Sequence, residues 1–285
     1  MGSLWMIAAM GAFAVEDSFI KAASKTLPVG EILILFGLGG TIVFAGLALS
    51  RGERLFSPDV LSRPMRIRVG FEIVGRLFYA LAITLIPLSA ATVILQATPL
   101  VVVAGAALLF GEKVGWRRWL AIVVGLAGVV VIVKPGAEGF SALSLLAVIG
   151  MIGFAGRDLA SRAAPASLST AILGLYGFGA VVIAGVLVAL WDRTALVMPA
   201  AGAAGAMLAA VLSGVAAYSC LMKAMRTGEV SAVTPFRYTR LLFGVAFGLA
   251  FFGERFTLSM LIGSSLIVLS GVFILWRGRQ VRGEA

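Results

Sequence analysis

The chain has 285 residues, 61% of them hydrophobic and 13% charged, with a mean hydropathy of +1.08. A soluble domain carries about a quarter charged residues, so this composition excludes an ordinary soluble enzyme and calls for several membrane spans. The net charge of +10 does not indicate nucleic acid, because Lys and Arg sit at the ends of apolar runs; the absence of histidine removes His-based triads, HExxH zinc sites and His proton relays, and the single Cys220 excludes an intrachain disulfide.

Residues 3–22 form the first predicted helix. Its apolar run continues into Glu16, Asp17 and Lys21 without a small-residue cleavage site, so it reads as a span and not as a leader. Further helices are predicted at 29–50, 68–86, 89–110, 118–134, 141–160, 168–191, 199–222, 230–252 and 257–276, joined by short turns such as TLPVG and KPGAEG. The uncharged runs Leu88–Phe110, Thr194–Met222 and Phe256–Trp276 each exceed the ~20 residues a helix needs to cross a bilayer. The expected fold is an all-α membrane protein of ten transmembrane helices. With the N-terminus inside, fifteen basic residues, Arg68 and Arg157 among them, fall on the inner side. Only five fall outside: Lys21, Lys25, Lys134, Arg193 and Arg255. The positive-inside rule then places both termini in the cytoplasm.

The chain also repeats itself. FAVEDSFIKAA (Phe13–Ala23) matches FAGRDLASRAA (Phe154–Ala164) at an offset of 141, with Asp17 opposite Asp158. Ser89–Lys113 matches Ser231–Arg255 at an offset of 142; both open on Ser-Ala and close on Phe-Gly-Glu-basic, and Gln96 falls opposite Tyr238. A Gly-Val pair follows in each half, at Gly128 and Gly271. Five spans per copy is an odd number, so the second copy enters the membrane from the opposite face. The expected arrangement is a 5+5 inverted-topology repeat, with units at 1–140 and 141–285. Repeats of this kind occur in alternating-access transporters, which bind substrate near the midplane at the repeat interface.

With the two Phe-Gly-Glu ends, the Gly-Val element and the 5+5 arrangement, the chain resembles the EamA type of the drug/metabolite transporter (DMT) superfamily over essentially its whole length. The resemblance implies a multi-pass carrier of the bacterial inner membrane that moves small organic molecules, often outward. The substrates it implies run from aromatic and other amino acids to riboflavin, nucleosides and cations, with aromatic amino-acid export as one branch. No cofactor and no metal are expected. The partners are the lipid bilayer and the small-molecule substrate, and monomer and dimer both stay open.

Ionisable residues inside spans mark functional sites by default. Arg237 lies eleven residues beyond Arg226, ~16 Å along a helix and about half the bilayer core. Thr234-Pro235 breaks the hydrogen-bond ladder just before it. Arg240, Gly244 and Gly248 share a face. Arg240 either holds helices together through a salt bridge or meets substrate, and Arg237 leans towards the cavity. Glu72 and Arg76 are four apart, acid first, the favourable order for a pair within one helix; alternatively Glu72 neutralises an arginine of the ninth span and frees Arg76. Arg76, Tyr79, Gln96, Arg237, Tyr238 and Arg240 are the candidate substrate residues. Glu16, Asp17, Glu72 and Asp158 are candidates for charge pairing or gating, with interfacial exposure favoured for Asp158. Glu112 and Glu254 read as structural ends of the fourth and ninth spans. Trp116, Trp119, Trp191 and Trp276 read as interfacial anchors, whereas Phe78, Tyr79, Phe236 and Tyr238 lie deeper. Without clustered nucleophile, base or metal ligands an enzyme is not expected, and no P-loop supports an ATP-driven pump. The leading reading is a secondary transporter exporting aromatic or hydrophobic amino acids. A riboflavin or nucleoside carrier is the alternative, and a channel or structural membrane protein is the alternative class.

Overall fold

The computed structural model describes residues 2–111, 115–133, 142–227 and 234–283, and every regular element among them is helical. In chain order these are α1 (Gly2–Ala23), α2 (Val29–Ser50), a 3₁₀ turn (Pro58–Leu61), α3 (Arg63–Leu85), α4 (Leu88–Leu95), α5 (Thr98–Phe110) and α6 (Trp116–Val133). The second half has α7 (Ser144–Arg162), α8 (Thr170–Asp192), α9 (Ala201–Thr227), a 3₁₀ segment (Thr234–Tyr238), α10 (Thr239–Phe252) and α11 (Leu258–Gly283). Six stretches are long and apolar enough to cross a membrane, namely α1, α2, the α4–α5 pair taken together, α7, α8 and α9. Trp119–Val133 and Leu258–Ile274 are shorter apolar helices. Helices suit this chain because hydrocarbon offers no partner for a backbone N–H or C=O, and a helix satisfies both internally.

Two predicted helices are discontinuous. The fourth span breaks at Gln96-Ala97, where Gln96 N and Ala97 N bond three residues back, to Val93 O and Ile94 O. Pro99 has no N–H to offer Leu95 O, and Thr98 Oγ1 donates to that carbonyl instead at 2.6 Å. The ninth span likewise opens as a 3₁₀ segment and turns α-helical at Thr239, whose Oγ1 donates to Phe236 O at 2.7 Å. Helix α3 starts at Arg63, not 68, and α9 continues to Thr227, not 222. The predicted starts at 141 and 230 lie outside the described residues.

The helix pairing displays the repeat. Helix α2 packs on α8, α4 on α10 and α6 on α11; α1 packs on α9 and α3 on α7. Counted as spans, the second meets the seventh, the fourth the ninth and the fifth the tenth. First-with-eighth and third-with-sixth exchange under the same two-fold operation. Each self-pair is antiparallel: Gly30 meets Ala189 and Gly174 meets Phe44 in α2–α8, Ser89 meets Gly248 and Thr92 meets Gly244 in α4–α10, and Gly125 meets Ser270 and Gly128 meets Gly263 in α6–α11. A two-fold that pairs equivalent helices antiparallel has to run across them, in the membrane plane, so the halves are inverted.

Glycines set the closeness of these seams. A Cβ on Gly30 would stand 2.7 Å from Ala189 N, one on Gly153 2.5 Å from Gly75 Cα, and one on Gly263 2.6 Å from Gly128 O. These neighbours are backbone and cannot move aside, so the small residues let the helices approach. Gly153→Leu should therefore force α3 from α7 and lower thermal stability in detergent by about 1–3 kcal/mol or more. Gly179→Leu, where an added Cβ meets nothing within 4 Å, serves as the control. Equal melting of both variants would contradict the backbone contact.

The repeated Phe-Gly-Glu ends have a local cause. Gly111 and Gly253 terminate α5 and α10 at φ of 65° and 61°, the left-handed conformation that glycine adopts without a Cβ clash. Glu254 then accepts from Leu88 N (2.6 Å) and Ser89 N (2.9 Å), capping α4 across the repeat interface. Its counterpart Glu112 lies outside the described residues.

Candidate functional site

Helix α3 supplies the spine of the site. Arg68, Glu72, Arg76 and Tyr79 are spaced by four, four and three, which puts them on one stripe of the helix. That stripe faces α1, α7 and the two discontinuous spans.

At one level Arg76 Nη1 lies 2.6 Å from Glu16 Oε1 of α1, and Arg240 Nη2 of α10 lies 2.6 Å from Asp17 Oδ2. Tyr79 donates its hydroxyl to the same Asp17 oxygen at 3.2 Å. Both carboxylates are buried, with side chains 0% and 1% exposed. Arg76 also sits over Phe36 and Arg240 over Phe13, at 5.2 and 5.0 Å from the ring centroids. A desolvated guanidinium gains from such a ring face.

At the second level Arg157 of α7 bridges two acids. Its Nη2 lies 2.8 Å from Asp158 Oδ1 and its Nη1 3.3 Å from Glu72 Oε1. Arg237 Nη1 approaches Asp158 Oδ2 at 3.5 Å. Arg68 donates through Nε to Ser161 Oγ at 2.9 Å, while its Nη2 remains 4.0 Å from Glu72 Oε2. The side chains of Arg157, Asp158 and Arg237 are 22%, 21% and 25% exposed, so this level is the more accessible one. Between the levels, Gln96 donates to Tyr238 O at 3.2 Å and to Arg237 O at 3.5 Å, joining the two helix breaks.

The end of the bundle beyond the first level is fastened. Lys21 donates to Ile83 O (3.0 Å) and Ile86 O (2.8 Å) and lies 3.4 Å from Glu254 Oε1.

Several sequence expectations need correction. Glu72 and Arg76 do not pair with each other: Arg76 goes to Glu16 and Glu72 to Arg157. Nor does Glu72 neutralise either arginine of the ninth span; Asp17 holds Arg240 and Asp158 holds Arg237. Asp158 is not a free interfacial carboxylate, because α7 continues past it to Arg162 and two guanidiniums flank it. Phe236 packs against the Met6, Met10 and Leu221 cluster and not on the polar site. Trp116 and Trp191 are exposed at helix ends, whereas Trp276 is exposed within α11, which continues to Gly283 and not to the expected end at 276. Arg68, Arg157 and Ser161 were missed. The four-residue spacing of Arg68, Glu72 and Arg76 could have revealed the first, and the offset of 141 that places Arg157 opposite Glu16 the second.

Among the described residues, five arginines and four carboxylates make up the two levels. The surplus lies at the accessible level, where Arg68, Arg157 and Arg237 surround Glu72 and Asp158. A cluster with one positive charge in excess favours an anionic group.

The EamA-like transporter family profile matches residues 1–134 and again residues 142–276. A riboflavin transporter of Vibrio cholerae is 27% identical, over 99% of this chain and 96% of its own length. An S-adenosylmethionine uptake transporter of Rickettsia conorii is 27% identical, over 97% and 92%. A pseudopaline exporter of Pseudomonas aeruginosa is 28% identical, over 94% of each. A protein solved by crystallography superposes with a TM-score of 0.60 at 19% identity, covering 94% of this chain and 97% of its own, which shows a shared fold.

Proposed function

The chain belongs to the EamA-like transporter family, and from that premise we propose that this multi-pass small-molecule transporter exports amino acids, aromatic or hydrophobic ones foremost, by alternating access. The three guanidiniums around two carboxylates at the accessible level carry this reading. A substrate carboxylate supplies the missing negative charge, with Arg237 as one of its ligands. Asp158 and Glu72 stand beside that place for the ammonium group. Tyr79 and Phe154, buried with their rings 5.7 Å apart next to the arginines, are the aromatic groups that a substrate ring would meet once the bundle opens. S-adenosylmethionine, the molecule named for the Rickettsia relative, itself carries an amino-acid group.

The same reading assigns the bacterial inner membrane and cytoplasmic termini. With Arg68 and Arg157 set aside as bundle residues, the sequence still assigns thirteen basic residues to the inner side against five outside. In that orientation the Lys21 end is periplasmic and fastened, and the accessible level opens to the cytoplasm, where an exporter loads. Reporter fusions after Lys134 and after Arg193 should both read periplasmic; a cytoplasmic signal from either would reverse the assignment. Proteoliposome counterflow with labelled phenylalanine, S-adenosylmethionine and riboflavin tests the substrate. Saturable phenylalanine exchange is expected, and exchange of riboflavin alone would overturn the amino-acid reading in favour of the one that the Vibrio relative's name suggests.

A further inference from the structure

We propose that Arg68 is the anchor for the substrate's carboxylate; this rests on the reading above for the substrate but on separate geometry for the site. Each of the other four arginines of the network has a carboxylate oxygen within 3.5 Å: Arg76 and Arg240 at 2.6 Å, Arg157 at 2.8 Å and Arg237 at 3.5 Å. Arg68 has only Glu72 Oε2 at 4.0 Å, beyond hydrogen-bond reach, and the other oxygen of Glu72 is taken by Arg157. Its side chain is 4% exposed and its Nη1 has no hydrogen-bond partner. A buried guanidinium with an unmet donor is costly. It is the fifth charge against four acids, the one whose own counter-charge is missing.

The surroundings fit a carboxylate. Ser161 Oγ accepts from Arg68 Nε and donates to Arg157 O at 2.7 Å, which fixes the guanidinium plane from behind. The two terminal nitrogens then face Gly177 of α8. A Cβ placed there would lie 3.5 Å from Nη2 and 3.9 Å from Nη1, ordinary contact distances, so Gly177 keeps beside this edge of the fork a gap of about one methyl group that a larger residue would fill. A guanidinium offering two parallel N–H groups matches the two oxygens of a carboxylate, which a lysine ammonium cannot do. Arg157 and Asp158, both partly exposed, adjoin this edge through Glu72 and Ser161. An anion entering at the accessible level would therefore meet Arg68 before the fully buried Glu16 and Asp17.

Two measurements on the purified chain test the anchor. In the first, binding of L-phenylalanine is compared with that of phenylalaninamide, which lacks the carboxylate. The wild type should prefer the acid by about ten- to a hundred-fold, the range for a hydrogen bond to a charged group. Arg68→Gln should abolish the preference while amide binding and melting temperature stay unchanged. Loss of both ligands together with a lower melting temperature would show a clamp between α3 and α7 and overturn the anchor. Should Arg68→Gln not fold, Arg68→Lys decides: it keeps the charge without the fork, and an undiminished preference would overturn the proposal. The second measurement uses benzoate, a simple carboxylate. It should raise the melting temperature of the wild type and not of Arg68→Lys or Arg68→Gln. Absence of that effect in the wild type would overturn the anchor. Arg68-dependent protection by benzoate without phenylalanine binding would instead overturn the amino-acid reading and support the anchor.

Discussion

Arg240→Gln will sharply lower the yield of folded protein, and Asp17→Asn in the same chain will restore most of it. Asp17 is 1% exposed, and its Oδ2 accepts from Arg240 at 2.6 Å and Tyr79 at 3.2 Å. Removing the guanidinium leaves a buried carboxylate with a phenol as its remaining hydrogen-bond partner. Breaking a buried pair in this way costs about 3–5 kcal/mol, whereas neutralising both partners comes close to break-even. A loss of that size is comparable with the whole folding stability of many domains. Glu72→Gln should give no rescue, because Glu72 belongs to Arg157. Arg237→Gln should behave differently. Asp158 keeps Arg157 at 2.8 Å, and the Arg237 contact is longer and 25% exposed. Folded yield should persist in that variant while transport of carboxylate-bearing substrates falls. Detergent-extracted monodispersity and melting temperature measure the first effect and proteoliposome exchange the second. Equal folding of Arg240→Gln and the parent would mean that the Asp17 pair does not hold α1 to α10.

Glu254→Ala should open the fastened end. The carboxylate caps two N–H groups of α4 and faces Lys21, and Lys21 in turn holds the last carbonyls of α3. Losing an N-cap costs about 0.5–2 kcal/mol, and here the ion pair is lost as well. The states of a transporter are separated by only a few kcal/mol, so this change is large enough to shift their populations. Ser89, 1% exposed beneath Glu254, reports the shift. In a Cys220→Ala background, Ser89→Cys should resist a membrane-impermeant maleimide added from the Lys21 side. Glu254→Ala should raise its labelling rate tenfold or more. Unchanged labelling would show that packing alone closes this end.

What the sequence determined by itself follows from short-range physics. Apolar run length decides whether a helix spans, because hydrocarbon leaves the backbone no other partner. That is why α1, α2 and α8 were legible almost to the residue. The inverted repeat was legible because its marks are local devices. Gly111 and Gly253 adopt left-handed φ to end a helix, whatever packs around them. Thr98 and Thr239, one position out of register between the copies, each satisfy a carbonyl three residues back.

The tertiary structure alone decided which charges meet. Within α3 the order Glu72, Arg76 favours a pair, but such a pair is worth only ~0.2–0.5 kcal/mol on a solvated helix. The helices packed against α3 present Glu16 and Arg157 at hydrogen-bonding distance inside the bundle, where an unpaired charge costs several times more. The partner from another helix therefore wins. The same competition explains Arg68 and Arg157, which the sequence places at the inner ends of the third and sixth spans. A polar flank looks identical in sequence whether it faces water or the interior, and only the opposing helix distinguishes the two. In this fold α3 and α7 continue beyond their apolar centres and face each other there, so both arginines lie inside the bundle.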